Sequence, residues 1–277
     1  MINDCDLKSA TDYSEGMVDA AYRVLGEIVN ILEPYADDMR IVGGWVPSLL
    51  FPYNDHIGSI DVDILFNQND IGKAESYENI KRILTRNNYK KHPEKYFTFV
   101  KTVMIGNIAY DVDVDFLSGK YGGDGGAVSK HVDGIKTLPA TGGDFAFEFP
   151  PENIKINYTR PDGALDIGHV RVISIVPYIV MKVSALGHGK PKDAYDIYYC
   201  INHFEGGVKK LLRELLPYKN KKLIKASCEK LSEKFASPDH TGPTDIVNFL
   251  GISDEEEADR IKQDAFQKVK YLIDGLS

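Results

Sequence analysis

Cysteine is scarce in this chain. Three occur among 277 residues, Cys5, Cys200 and Cys228, scattered and without a CxxC pair. That excludes a disulfide framework and a cysteine-based zinc site, and it points to reduced thiols in a cytoplasmic protein. Apolar runs of membrane-spanning length are missing too, so no membrane partner is expected. The opening residues, MINDCDLKSATDYSEG, lack the basic and apolar regions of a signal or transit peptide. There is no Walker A motif, no GxGxxG behind a strand and no GxSxG. The seven histidines are dispersed, without zinc-ligand spacing. Positive charge is in short supply: 33 Lys and Arg against 41 Asp and Glu leave a net charge of −8. A chain that coats nucleic acid non-specifically is thereby excluded, although a local basic groove is not.

What is present is the composition of an ordinary globular protein, 43% hydrophobic and 27% charged, with room for one large domain or two modest ones. Apolar positions spaced as on a helix run over residues 14–34 behind Ser14, a candidate N-cap. RIVGG reads as a short strand stopped by two glycines, WVPSLLF as one or two helical turns, and SIDVDILF as a second strand. Residues 74–88 read as a helix. The segment YFTFVKTVMI-GN-IAYDVDVDFL is a hairpin about a two-residue Gly106-Asn107 loop of type II′ composition. FAFEF, NIKINY and VRVISI read as further short strands. From Pro177 the character changes, and PYIVMKVSALG, PKDAYDIYYCINHF, GGVKKLLRELL, KKLIKASCEKLSEKF and DEEEADRIKQDAFQKVKYLID are helical in pattern. The expected fold is therefore α+β: a small mixed β-sheet with flanking helices over residues 1–175, then a helical domain over 176–277.

The hairpin strand raises the chemical question. Asp111, Asp113 and Asp115 alternate with Val112, Val114 and Phe116, so a strand turns all three carboxylates to one face. Aspartate is poorly suited to strands, and like charges that close repel. Asp61 and Asp63 repeat the pattern on the other strand. Two such strands in one sheet make a cluster that a hard divalent cation would relieve, and Mg²⁺ commonly takes one or two carboxylates together with substrate phosphates. A calcium-binding EF-hand fails, because its required Gly and Glu positions hold Phe116 and Gly122. Gly43-Gly44, a strand end before a helical turn, lets backbone N–H groups approach an anion.

A Gly-Gly turn, an Asp-x-Asp strand and a third acid on a later strand resemble the minimal nucleotidyltransferase core of the polymerase-β superfamily. MKVSALGHGKPKDAYDIYYC resembles the lysine and aspartate segment of AbiEii-type nucleotidyltransferases, which occur in abortive-infection and toxin–antitoxin pairs. The likeness spans roughly residues 40–203. It implies transfer of a nucleoside monophosphate from an NTP to an acceptor, with two Mg²⁺ ions as cofactors. Asp61 and Asp63 would hold the metal, with Asp115 or Asp113 as the third acid, either coordinating the second metal or taking the acceptor hydroxyl's proton; the DFL end of the strand favours Asp115. Gly43 and Gly44 would cradle the β- and γ-phosphates, Lys182 would add positive charge to the triphosphate, and Asp196, with Asp193, would complete the polar cluster. Relatives often carry a hydroxyl residue where this chain has Gly44 and Trp45, and Ser59 is the candidate substitute. KYGGDGG, residues 120–126, is either a lid or an ordinary loop.

Outside the motifs, Lys182 is the lone charge on an apolar helix, which fits a snorkelling surface lysine as well as a phosphate clamp. Lys209, Lys210, Arg213, Lys219, Lys221, Lys222 and Lys225 form a basic stretch that suits either a solvated helix face or an RNA track. The resemblance brings tRNA or another RNA as acceptor and an antitoxin protein as partner. Two alternatives stand beside it: nucleotide transfer to a small molecule or a protein, and a catalytically silent module that binds a nucleotide or a partner.

Overall fold

The computed structural model describes residues 7–53, 55–67, 79–119, 131, 132 and 134–277. The chain divides into a sheet unit, Ser14–Pro52 with Ile57–Pro177, and a helical unit that includes Tyr53–His56 and Tyr178–Ser277. The fold is α+β, as the patterning predicts. The KYGGDGG segment and residues 74–78 lie outside the described residues.

The sheet unit opens with α1 (Glu15–Ile31), whose first turn is capped by the Ser14 hydroxyl accepting from the Met17 amide at 3.3 Å. After β1 (Met39–Val42), a single turn of 3₁₀ helix at Gly43–Trp45 leads into α2 (Val46–Leu50). Then come β2 (Val62–Phe66), α3 (Ile80–Arg86), β3 (Lys90–Lys91), β4 (Thr98–Ile105) and β5 (Ile108–Gly119). The remainder comprises β6 (His131–Val132), β7 (Ile135–Lys136), β8 (Leu138–Ala140), α4 (Gly143–Ala146), β9 (Glu152–Thr159) and β10 (Leu165–Val172). The main sheet runs in the order β3-β4-β5-β2-β1-β10-β9, with β8 paired to β5. β2 lies parallel to β5 and antiparallel to β1, so the sheet is mixed.

Alternation assigns the two faces. Val62, Ile64, Val112, Val114 and Phe116 are essentially inaccessible and form the core face. α1 covers that side: Lys101, the register partner of Val112, pairs with Glu27 of α1 at 2.9 Å. The aspartates of both strands occupy the opposite face. The hairpin turn is as its composition predicts, with Gly106 at φ 59° and no positive φ at Asn107.

Two elements of the sheet unit differ from expectation. FAFEF is no strand: Gly142, at φ 87°, starts the short helix α4, which buries the adjacent Phe145 and Ala146. Adjacent buried residues belong to a helical turn, and five alternating residues are too few to tell the two periods apart. The strand read into SIDVDILF starts only at Val62, leaving Ser59 and Asp61 in the approach to it.

α5 (Ile175–Ala185) leads into the helical unit, which continues with α6 (Pro191–His203), α7 (Gly207–Leu215), α8 (Lys222–Lys234), α9 (Thr241–Leu250) and α10 (Glu255–Leu276). α9 was not expected, because Gly242 and Pro243 in its first turn look like loop chemistry. Proline is tolerated there because the first turn's amides lack intrahelical partners. Leu211, Ile224, Phe249, Ala265 and Leu272 build this unit's core. Among the described residues, no helix is long and apolar enough to cross a membrane.

Candidate functional site

Parallel pairing of β2 and β5 sets Asp63 directly beside Asp115. Residues paired in this way share a face at the spacing of adjacent strands, roughly 4.8 Å. Asp113 lies one pleat back on the same side of β5, and the charge of Asp61, just before β2, also acts on Asp115. The three acids of β5 are not equivalent. Asp111 is exposed and accepts a hydrogen bond from the Thr102 hydroxyl at 2.6 Å. Asp113 is half-buried and pairs with Lys95 at 2.8 Å. Asp115 accepts from the Thr98 hydroxyl at 2.6 Å.

Asp115 carries the electrostatic signature of this edge. Burial pushes its carboxyl up, and the nearby charges of Asp61 and Asp113 add to the rise; the Thr98 hydrogen bond and Lys95 oppose it. The balance raises it to about 7. Negative charge is thus incompletely compensated at this position, as expected where carboxylates crowd in a half-buried site.

Ser59 is buried, and its hydroxyl donates to Asp61 Oδ1 at 2.6 Å, so it orients that carboxylate. The indole of Trp45 donates to the Asp61 carbonyl at 2.8 Å, tying the Gly43–Trp45 turn to the start of β2. Gly43 has φ 71°, and a Cβ added there would fall 1.8 Å from Asp63 Oδ2. Glycine is needed at this position both for the left-handed backbone and for the close approach of the carboxylate. The structure therefore brings Gly43, Asp61, Asp63, Asp113, Asp115 and Ser59 together in one unit. Their donor atoms are the hard oxygens that Mg²⁺ prefers. Among the described residues, no three His, Cys, Asp or Glu side chains are grouped as a ready-made metal cage.

Lys182, Asp193 and Asp196 lie in the helical unit. Lys182 is half-buried, its side chain 12% exposed, with its ammonium 2.8 Å from Asp193 Oδ1 and 2.8 Å from Asp196 Oδ2, so it is not a snorkelling surface side chain. Lys192 reaches both oxygens of Asp196, at 2.9 and 3.1 Å, and His56 Nε2 lies 3.0 Å from Asp196 Oδ1. Burial by itself would raise Asp196, but Lys182 and Lys192, with His56, hold it well below the ordinary carboxylate range. Burial would likewise depress Lys182, and the two aspartates overcome it. Of the basic stretch, Lys209, Arg213, Lys221, Lys222 and Lys225 are exposed, while Lys210 and Lys219 are half-buried.

Sequence reasoning missed Thr98, Lys95 and His56. Thr98 was accessible: counting back from the Gly106-Asn107 turn sets it opposite Asp115. Nothing in the local pattern singles out Lys95, in the loop before β4, or His56.

No family model matches the chain, and no curated protein matches it either. Among solved structures, the crystal structure of JHP933 from Helicobacter pylori aligns over 94% of each chain, at 13% identity and a TM-score of 0.40. That likeness is too distant to carry an assignment.

Proposed function

We propose that the protein is a magnesium-dependent nucleotidyltransferase that moves a nucleoside monophosphate from an NTP to a hydroxyl of an acceptor, RNA being the acceptor class its exposed lysines suit best. The observation that carries this reading is the pairing of Asp63 with Asp115 on neighbouring parallel strands, with the charge of Asp61 felt at Asp115. A carboxyl pushed this far from its ordinary value by burial and neighbouring charge is of the kind found at functional sites.

The residues fit the metal in a specific sense. Uncompensated charge at Asp115 calls for a cation, and the oxygen-only donors suit a hard one. Mg²⁺ commonly takes one or two carboxylates and completes its shell with phosphates and water. When bound, Mg²⁺ would supply positive charge to the triphosphate and to the attacking and leaving oxygens. Asp61 and Asp63 would hold it, and the Ser59 hydroxyl fixes the orientation of Asp61. The acceptor oxygen forms a bond to the α-phosphorus as the bond from that phosphorus to the bridging oxygen breaks, and pyrophosphate departs. Asp115, steadied by Thr98, takes the acceptor's proton, a role that favours a carboxyl titrating near the working pH. The Gly43-Gly44 turn faces the phosphates in this reading.

The test is incubation of the chain with each α-labelled NTP and Mg²⁺, with total tRNA or with no added acceptor. Label is expected on RNA, to be abolished by a chelator and reduced by at least about a hundredfold in Asp61→Asn and Asp63→Asn, both still folded. Label on protein or on a small molecule would replace the RNA acceptor. Absence of transfer with every NTP and acceptor would overturn the enzyme reading.

A further inference from the structure

Among the described residues, Lys95 is a cation present at the carboxylate edge. Its ammonium lies 2.8 Å from Asp113 Oδ2, and the charges of Asp115 and Asp61 also act on it. The side chain is largely withdrawn from solvent, with 31% of its surface exposed.

The loop that carries it is built around a buried histidine. His92 Nδ1 accepts from the backbone amides of both Glu94 and Lys95, at 3.1 and 3.0 Å. The His92 amide donates to the Thr98 carbonyl at 3.0 Å, and the Thr98 amide donates to the Lys95 carbonyl at 3.3 Å. The backbone is therefore pinned on both sides of Lys95. The same short stretch gives a cation to Asp113 and, through Thr98, a hydroxyl to Asp115. Lysine suits this place because its ammonium is a point charge on a flexible stem, able to leave one carboxylate for another anion, whereas arginine would grip a carboxylate through two hydrogen bonds.

We propose that Lys95 is a tethered counter-ion of this edge: it neutralises the aspartates when no metal is present, so that a divalent cation arriving alone is opposed by its charge. This rests on the transferase reading given above. Metal binding then becomes dependent on nucleotide. A triphosphate brings enough negative charge to accommodate the metal and the ammonium together, and Lys95 transfers its hydrogen bonds from Asp113 to a phosphate oxygen. The enzyme is thereby kept from holding metal in the absence of substrate.

The test is Mn²⁺ binding to the full chain, followed by the electron paramagnetic resonance signal of free Mn²⁺, without nucleotide and then with a non-hydrolysable NTP. Lys95→Met should bind Mn²⁺ alone at least about tenfold more tightly than wild type, the change expected when one positive charge is removed a few ångströms from a divalent ion in a water-like medium. With the nucleotide the gap should narrow. Lys95→Gln provides the same result should the Met variant fold poorly, and Lys95→Arg should stay as weak as wild type. A lysine that merely supports the loop would leave metal affinity unchanged or lowered on removal. Equal or weaker Mn²⁺ binding in Lys95→Met and Lys95→Gln, with wild type binding normally in the presence of nucleotide, overturns the counter-ion role and leaves the transferase reading standing. No Mn²⁺ binding by any variant under either condition overturns both.

Discussion

Asp115 is half-buried and Asp196 fully buried, both surrounded by charge, yet the two aspartates are driven in opposite directions. At Asp196 two lysines and a histidine converge on one carboxylate, and attraction outweighs desolvation. At Asp115 a single hydroxyl and a more distant ammonium face two other aspartates, and desolvation wins. The number of cations within reach decides the sign. The contrast also separates two kinds of site. The helical cluster is closed, its charges matched by one another. At the carboxylate edge, burial and the neighbouring aspartates outweigh the Thr98 hydroxyl and Lys95 at Asp115.

The largest effect should come from breaking the closed cluster. Asp196→Ala leaves half-buried Lys182 and buried Lys192 without their shared partner, and should cost about 3–5 kcal/mol in urea unfolding. A loss under about 1 kcal/mol would mean that the two lysines find water or new partners, and that the cluster is less closed than it looks.

Asp115→Asn should act in the other direction. Because the folded value is near 7 and the ordinary one 3.8, the native chain keeps a proton there that the unfolded chain has released. Stability therefore falls as pH rises from about 4 through 7. Asparagine has no proton to lose, so the variant should be more stable than wild type at pH 8, by about 2–4 kcal/mol, and equal to it near pH 4. Asp196 has the reverse dependence: its contribution is intact above its ordinary value and is lost as pH falls into the acid range. Denaturation curves at pH 4, 6 and 8 compare both aspartates in one series.

Gly43→Ala should cost about 1–3 kcal/mol, since it combines a positive φ with a collision against Asp63. It should also lower transfer activity by displacing that carboxylate. Smallest of all, Asp111→Asn should change stability by no more than about 0.5 kcal/mol, because the side chain is exposed, and should leave transfer nearly intact. Strong inactivation by Asp111→Asn would move the functional centre toward the outer end of β5.

The faces of the strands could be read from the sequence because a period of two leaves an aspartate no choice of side once its valine neighbours are buried. The hairpin register followed from its turn. That β2 would run beside β5, in the register that sets Asp63 against Asp115, could not be read, because parallel pairing depends on packing between distant segments. Lys182 looked isolated because its partners come from the next helix. The i,i+4 spacing of Lys192 and Asp196 was visible, but nothing local shows that the pair is buried. Gly242-Pro243 concealed α9, and alternating phenylalanines disguised α4.

The central claim is that Asp115, whose carboxyl burial and neighbouring aspartates push up, lies where a divalent cation and nucleotide bind. It is tested most directly by a ¹³C NMR titration of the Asp115 carboxyl carbon, with and without Mg²⁺ and a non-hydrolysable NTP. The predicted midpoint is near 7 in the free chain, falling by about one unit or more when metal and nucleotide are added. A midpoint close to the ordinary 3.8 that does not respond to them would contradict the account.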